Sequence, residues 1–285
     1  MVLNAGLSGL SGLSGLIGQS GGGGPTLWTP SNDPDLVLWY ESDSYEAGAG
    51  SYVVPVAKNN GSNAYKQYPI GTPVDTTDSV QLDTIGGVDC FTYKIRGTKC
   101  SQTFSLGDLD IYMVLKITAG DGAYTRYADH DYGNGFWIGS FGAPSFEQLV
   151  GGGVRQGGSP YGISSTMPFA FGWNMLQIAR TTSDGYYQIN FNADINGDYL
   201  YGDFGTPGST MVNPIAIGSE LGGNNAVPRL SIAALVIYGS CGAGANVTGT
   251  EAPTDKRQGY LHNRFPGHEL ILNHDHEYYG HAPTV

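Results

Sequence analysis

From residue 230 to 238 the chain reads LSIAALVIY, and both alternating sets are apolar: Ile232, Ala234, Val236 and Tyr238 on one side, Ala233, Leu235 and Ile237 on the other. A strand of that kind is covered on both faces. LDIYMVLKI at 109–117 alternates more strictly, with Leu109, Ile111, Met113, Leu115 and Ile117 facing one way and Asp110, Tyr112 and Lys116 the other. LVLWY (36–40) and SYVVPV (51–56) predict the opening strands, and Pro55 makes the second an edge. Further strands are predicted at VDCFTYKI (88–95), NGFWIGSF (134–141) and PIAIGS (214–219). WNMLQIAR (173–180) and YYQINFNADI (186–195) flank SDG at 183–185, a hairpin signal. VGGGVRQGG (150–158) reads as a glycine-rich loop or hinge. A dozen or so strands with turns between them predict an all-β fold of two apposed antiparallel sheets. One short helix is expected near the end, with Thr250 as N-cap, Glu251 in the first turn, Leu261 and Phe265 one turn apart, and Pro266-Gly267 as the stop.

Both ends differ in character from this body. In GLSGLSGLSGLIGQSGGGG, Gly6, Gly9, Gly12, Gly15, Gly18 and Gly21 recur at strict period three, and Leu7, Leu10, Leu13 and Leu16 share that period. A flexible linker gains nothing from a leucine in each repeat, so the block is expected to be an anchor or trimer-forming stem, with Gly21–Gly24 as a hinge. Residues 273–285 are polar, rich in histidine and unable to form a core. The expected organisation is an arm and hinge at 1–27, a sandwich at 28–272 and a tail at 273–285.

Composition narrows the function classes. The 285 residues include 45 Gly and 19 Tyr, with only 13% charged, which suits turns and aromatic strands more than long helices. A net charge of −12 opposes a phosphate backbone, so no nucleic-acid partner is expected. No stretch approaches the roughly 18 apolar residues of a membrane span. No Lys or Arg precedes Lys58 and no continuous apolar run occurs near the start, so a secretory signal is not visible. Cys90, Cys100 and Cys241 are too few for a disulfide framework. Cys90–Cys100 could close a loop, but free buried thiols in a chain assembled in a reducing cytoplasm are the expectation.

The ending, IGSELGG (217–223), IAALVIY (232–238) and a helix running into Gly259-Tyr260-Leu261, Arg264-Phe265 and Gly267-His268, resembles the laminin-G-like members of the concanavalin-A-like lectin/glucanase superfamily. TPSNDPDLVLWYESDS (29–44) is similar to the opening of that family, and WNMLQIAR with the following strand to its central hairpin. Arg257 stands where the family helix is usually apolar. The resemblance is closest to domains of phage virion and bacterial surface proteins. It implies a concanavalin-A-like jelly roll with one short C-terminal helix, preceded here by the extended glycine-rich arm.

Several constellations could carry chemistry. Glu41-Ser-Asp43-Ser-Tyr-Glu46 has the E-x-D-x-x-E spacing of jelly-roll glucanases, whose outer glutamates act as nucleophile and general acid. On one strand Glu41 and Asp43 would share a face, and a bulge would be needed to bring Glu46 round. Asp194, Asn196 and Asp198 alternate as oxygen ligands do at the start of a calcium loop, though Tyr199 occupies the glycine position of an EF-hand. Asp129, Asp131 and Asn134 form a second oxygen-rich turn, and calcium is the cofactor either turn would take. His274 and His276 in the tail would make a six-imidazole transition-metal site only at a three-fold axis. Tyr124, Tyr127, Tyr132, Trp137, Tyr161, Tyr199 and Tyr201 are expected to be exposed, and Tyr132 and Trp137 with Asp131 and Asn134 make a sugar-binding set.

The expectation from sequence is therefore a non-enzymatic virion structural protein assembled in the host cytoplasm, a head-decoration or tail-fibre component. Its arm would dock on other virion proteins, with a homotrimer as the expected state, and its sandwich would serve assembly or adhesion to a host-surface glycan. The alternatives are a glycan-cleaving enzyme using Glu41 and Glu46, and a free soluble lectin.

Overall fold

The computed structural model describes residues 27–48, 52–59, 65–71, 80–94, 97–117, 125–130, 136–141, 149–156, 159–165, 173–180, 187–191, 211–219, 230–240 and 253–265. These contain eighteen strands, one 3-10 turn at Pro30–Asn32 and one α-helix. The first strands are β1 (Leu36–Glu41), β2 (Tyr45–Ala47), β3 (Val53–Pro55), β4 (Gln67–Pro69), β5 (Gln81–Ile85) and β6 (Val88–Tyr93). They are followed by β7 (Thr98–Cys100), β8 (Phe104–Leu106), β9 (Leu109–Ile117), β10 (Thr125–Asp129), β11 (Phe136–Phe141) and β12 (Leu149–Gln156). The last are β13 (Ser159–Ser165), β14 (Asn174–Arg180), β15 (Tyr187–Phe191), β16 (Met211–Asn213), β17 (Ala216–Ile217) and β18 (Leu230–Tyr238), with the helix α1 at Pro253–Arg264.

Two seven-stranded antiparallel sheets form a sandwich. The first runs β15-β14-β9-β18-β6-β5, with β1 also paired to β18, and the second runs β13-β12-β11-β10-β17-β7-β4. Leu38, Phe91, Ile111, Met113, Leu176 and Leu235 of the first sheet pack with Cys100, Tyr127, Ile138 and Ile217 of the second in one buried cluster. The other face of the first sheet is buried as well, by a second cluster in which Tyr112, Val114, Met175 and Val236 meet Leu261 of α1 and Phe265 just after it. The expected coverage of 230–238 on both faces holds, since all nine residues are buried.

The assignments of Ile232 and Ala233 to faces do not hold. Opposite β9, Ile232 pairs with Leu115 and Ala234 with Val114, so Ala233 is an inserted residue. A bulge of this kind shifts the alternation by one position. Leu230, Ile232, Leu235 and Ile237 therefore face the inter-sheet core, while Ala233, Ala234, Val236 and Tyr238 face the helix.

Three other expectations are corrected. VGGGVRQ is not a loop: it lies in β12, hydrogen-bonded to β11 on one side and β13 on the other, and pairing on both edges overrides the low strand preference of glycine. The helix begins at Pro253, whose fixed φ suits a first helical position, so Thr250 is too far upstream to be its N-cap. The hairpin of β5 and β6 was not foreseen; Gly86 (φ 62°) and Gly87 (φ 85°) supply the two left-handed residues of its tight turn. The hairpin of β14 and β15 forms as expected. Among the described residues no helix is long and apolar enough to cross a membrane.

Gly97 marks a close approach of backbones beside the β17–β7 pair. A Cβ there would meet the Ser219 hydroxyl, lie 2.5 Å from the Ile217 carbonyl oxygen and 2.7 Å from the Ser219 amide nitrogen. Main chain cannot move aside as a side-chain tip can. Gly97→Ala is expected to cost about 1–3 kcal/mol, read as a lower denaturant midpoint with an unchanged slope.

Candidate functional site

The acidic motif does not lie on one strand. Glu41 ends β1, and the Ser44 amide then donates to the Glu41 carbonyl at 3.1 Å, closing a turn before β2 begins. Glu41 points under α1 and is 1% exposed. Trp39 Nε1 (2.9 Å) and the Tyr260 hydroxyl (2.7 Å) donate to its Oε1, and Lys58 Nζ (3.0 Å) and Arg264 Nε (3.3 Å) donate to its Oε2. Both oxygens are saturated by donors of the fold. Glu46 instead lies on the exposed ribbon of β2 and β3 and pairs with Lys66 at 2.8 Å. The two glutamates thus serve different surfaces, and Glu41 acts as a clamp joining β1, Lys58 and α1.

A second buried polar cluster crosses the same interface. Arg257, wholly buried, donates from Nε to Asp33 (2.8 Å) and from Nη1 to Asp110 (2.9 Å) and the Ser240 carbonyl (3.0 Å). Its guanidinium stacks on Tyr238, 3.8 Å from the ring centre. Asp110 also accepts from the Tyr112 hydroxyl and from Gln177, and Gln177 in turn accepts from Gln258 of α1. Burial works to lower the basicity of Arg257, but the hydrogen bond to Asp33 and the charge of Asp110 outweigh it and hold the guanidinium firmly protonated. Tyr260 adds edge-on contacts to Trp28 and Trp39. The position where the family resemblance expects an apolar helix residue is here the ionic pin of the helix.

These contacts close the outer face of the first sheet. The thiols of Cys90 and Cys100 are free and buried, as expected, and burial pushes Cys90 up to about 11, so it is protonated and unreactive at neutral pH. Cys241 lies outside the described residues.

The turn holding Asp131, Tyr132 and Asn134 connects β10 to β11, and those three residues lie outside the described set. At its base Asp129 and His130 are buried, and His130 Nε2 lies 3.1 Å from the Phe104 carbonyl oxygen. Trp137 stands in β11, paired through its backbone with Asp129 and Gly153. Tyr127, expected to be exposed, is 0% exposed because it belongs to the inter-sheet cluster. Asp194, Asn196 and Asp198, His274 and His276, and Leu7, Leu10, Leu13 and Leu16 lie outside the described residues. Among the described residues no three His, Cys, Asp or Glu side chains gather as a metal site.

The outer face of the second sheet is exposed at its β4–β7 end, while further in Ala216 of β17, paired with Lys99, and Asp129 of β10, paired with Ala216, are buried. In β4 and β7, Gln67, Thr98 and Cys100 point inward and are buried, while Tyr68 and its cross-strand partner Lys99 are exposed. Neither residue was singled out from sequence, although KQY and TKC carry the period-two signal.

No family model matches the chain, and no curated protein matches it in sequence. Solved structures do resemble it. The binding domain of botulinum neurotoxin DC in complex with rat synaptotagmin II shares 12% identity over 72% of this chain and 48% of that one, with a TM-score of 0.45. This chain thus spans about half the length of the neurotoxin binding domains it resembles. Domain 4 of AbnA, a GH43 extracellular arabinanase from Geobacillus stearothermophilus, in complex with arabinotriose, shares 11% over 72% and 93% of the two chains, with a TM-score of 0.47. The CBM40 of Ruminococcus gnavus IT-sialidase bound to alpha2,3 sialyllactose shares 16% over 52% and 88%, with a TM-score of 0.38. The fold itself is an antiparallel β-sandwich of two seven-stranded sheets. The likeness is one of fold alone.

Proposed function

We propose that this chain is a non-enzymatic display protein: a sandwich that holds glycan or neighbouring subunits on its open face, carried on a Gly-Leu-Ser arm that docks on a larger assembly such as a virion. The observation that carries this reading is the difference between the two outer faces. One is sealed by α1 through Glu41 and Arg257, whose hydrogen bonds go to the fold itself. The other presents Tyr68 and Lys99 to solvent at its β4–β7 end and carries the hairpin whose turn is rich in Asp, Tyr and Asn. Glu41 fits a clamp better than a nucleophile, because four donors already occupy its carboxylate.

In this reading Leu7, Leu10, Leu13 and Leu16 form one apolar edge of the arm, and glycine at every third residue allows three such chains to approach closely. The full chain is expected to be a trimer by light scattering, and the chain lacking residues 1–24 a monomer. If both are monomers and neither binds isolated assembly partners, the arm is only a linker and the reading fails. A reducing-end signal on host polysaccharide that vanished in Glu41→Gln would overturn the non-enzymatic part.

A further inference from the structure

We infer that the outer face of the second sheet holds a subsite for an acidic saccharide, formed by Tyr68 between Lys66 and Lys99; this rests on the glycan reading above and specifies its ligand. Tyr68 is 45% exposed, whereas Tyr40, Tyr93, Tyr112, Tyr127 and Tyr238 lie in the core. Lys99 faces it directly across the β4–β7 pair, and side chains so placed have Cβ atoms about 5 Å apart. Lys66 lies two residues before Tyr68 on the same face, about 6.8 Å along the strand. Ser101, whose amide donates to the Lys66 carbonyl at 3.1 Å, adds an exposed hydroxyl opposite Lys66.

Charge selects the ligand class. The protein carries a net −12 with only 13 Lys and Arg, yet two of them flank this one ring. Lys99 has no ion-pair partner among the described residues. Lys66 pairs with Glu46, but an exposed pair of that kind contributes only about 0–1 kcal/mol, so the ammonium can be shared with a ligand. A sugar ring lays its CH face on the tyrosine, and a carboxylate or sulfate on that sugar meets the ammonium groups.

The backbone argues for a saccharide over an acidic peptide. Extended peptides are commonly captured as an added strand on a free sheet edge. β4 ends the sheet but offers little edge: β7 pairs with one side, on the other Val56 bridges to Lys66 and the Ala57 amide donates to the Tyr65 carbonyl just before it, and Pro69 has no amide to give. Recognition there must come from side chains on a flat face.

The test is calorimetric titration of the full chain with tetragalacturonate, its methyl ester, a sulfated galactotetraose, a tetraglutamate peptide and a panel of neutral oligosaccharides. At least one of the two acidic sugars is expected to bind, and the comparison shows which anion is preferred. The methyl ester, Tyr68→Ala and Lys99→Gln should each weaken galacturonate or sulfated-sugar binding about tenfold, equivalent to about 1.4 kcal/mol. Both side chains are exposed, so unchanged melting curves of the variants confirm intact folding. Equal binding by both variants, equal binding of acid and ester where the acid binds, tetraglutamate binding as tightly as the sugars, or no binding of either acidic sugar would each overturn the inference. Neutral sugars that bind wild type and variants alike would leave the broader glycan reading standing; silence from every sugar removes both.

Discussion

Arg257→Ala is expected to lower the free energy of unfolding by about 3–5 kcal/mol. The loss comes less from the missing attraction than from what stays behind. Asp33 and Asp110 are buried carboxylates, and both turn their hydrogen-bonding oxygen toward the guanidinium. Without it they face each other's charge across a dry interface, and Tyr238 loses the group stacked on its ring. Domains are typically stable by only about 5–15 kcal/mol, so the variant should be largely unfolded in mild denaturant. Arg257→Met combined with Asp33→Asn and Asp110→Asn should recover part of the loss, since removing all the charges leaves none uncompensated. A single variant within about 1 kcal/mol of wild type by urea titration would mean that water reaches the cluster and the pin is not closed.

The second large effect is expected at Leu235, which is 0% exposed in the middle of β18 and packs in the inter-sheet cluster. Leu235→Ala should cost about 2–5 kcal/mol, the upper end applying if the two sheets cannot close on the void. Val212→Ala is the matched control. At 60% exposure on β16 it should change stability by no more than about 0.5 kcal/mol. Equal effects at the two positions would contradict the placement of β18 at the centre of the molecule.

The strands with a strong apolar run were legible in the sequence because burial on both faces leaves a composition that no turn imitates. β18 is the example; β9 was legible through its alternation, and the β14–β15 hairpin was marked by its central turn signal. The bulge at Ala233 was not legible, because an inserted residue leaves no trace in a stretch that is apolar on both faces. β12 was hidden for the opposite reason: its glycines carry no periodic side-chain signal, and its pairing with β11 and β13 is a property of the neighbours. The Gly86-Gly87 turn joins a largely exposed strand, QLDTI, whose face pattern is weak, to the predicted strand VDCFTY. Arg257 stood out as a departure from the family pattern, yet its partners are 224 and 147 residues away, a separation that no motif spacing encodes. For the same reason Glu41 looked like part of an acidic triplet until Tyr260 and Arg264 closed over it.

The pairing of β1 with β18 has a consequence in time. Among the described residues, 36–41 find their only strand partner at 234–238, and of the described strands that partner leaves the ribosome last. At roughly 5–20 residues per second, synthesis keeps Leu38, Trp39 and Tyr40 waiting for about 10–40 s. Throughout that interval the nascent chain carries an apolar, unpaired strand. Chaperone occupancy during translation should therefore begin when β1 emerges and end only after Tyr238 has cleared the exit tunnel.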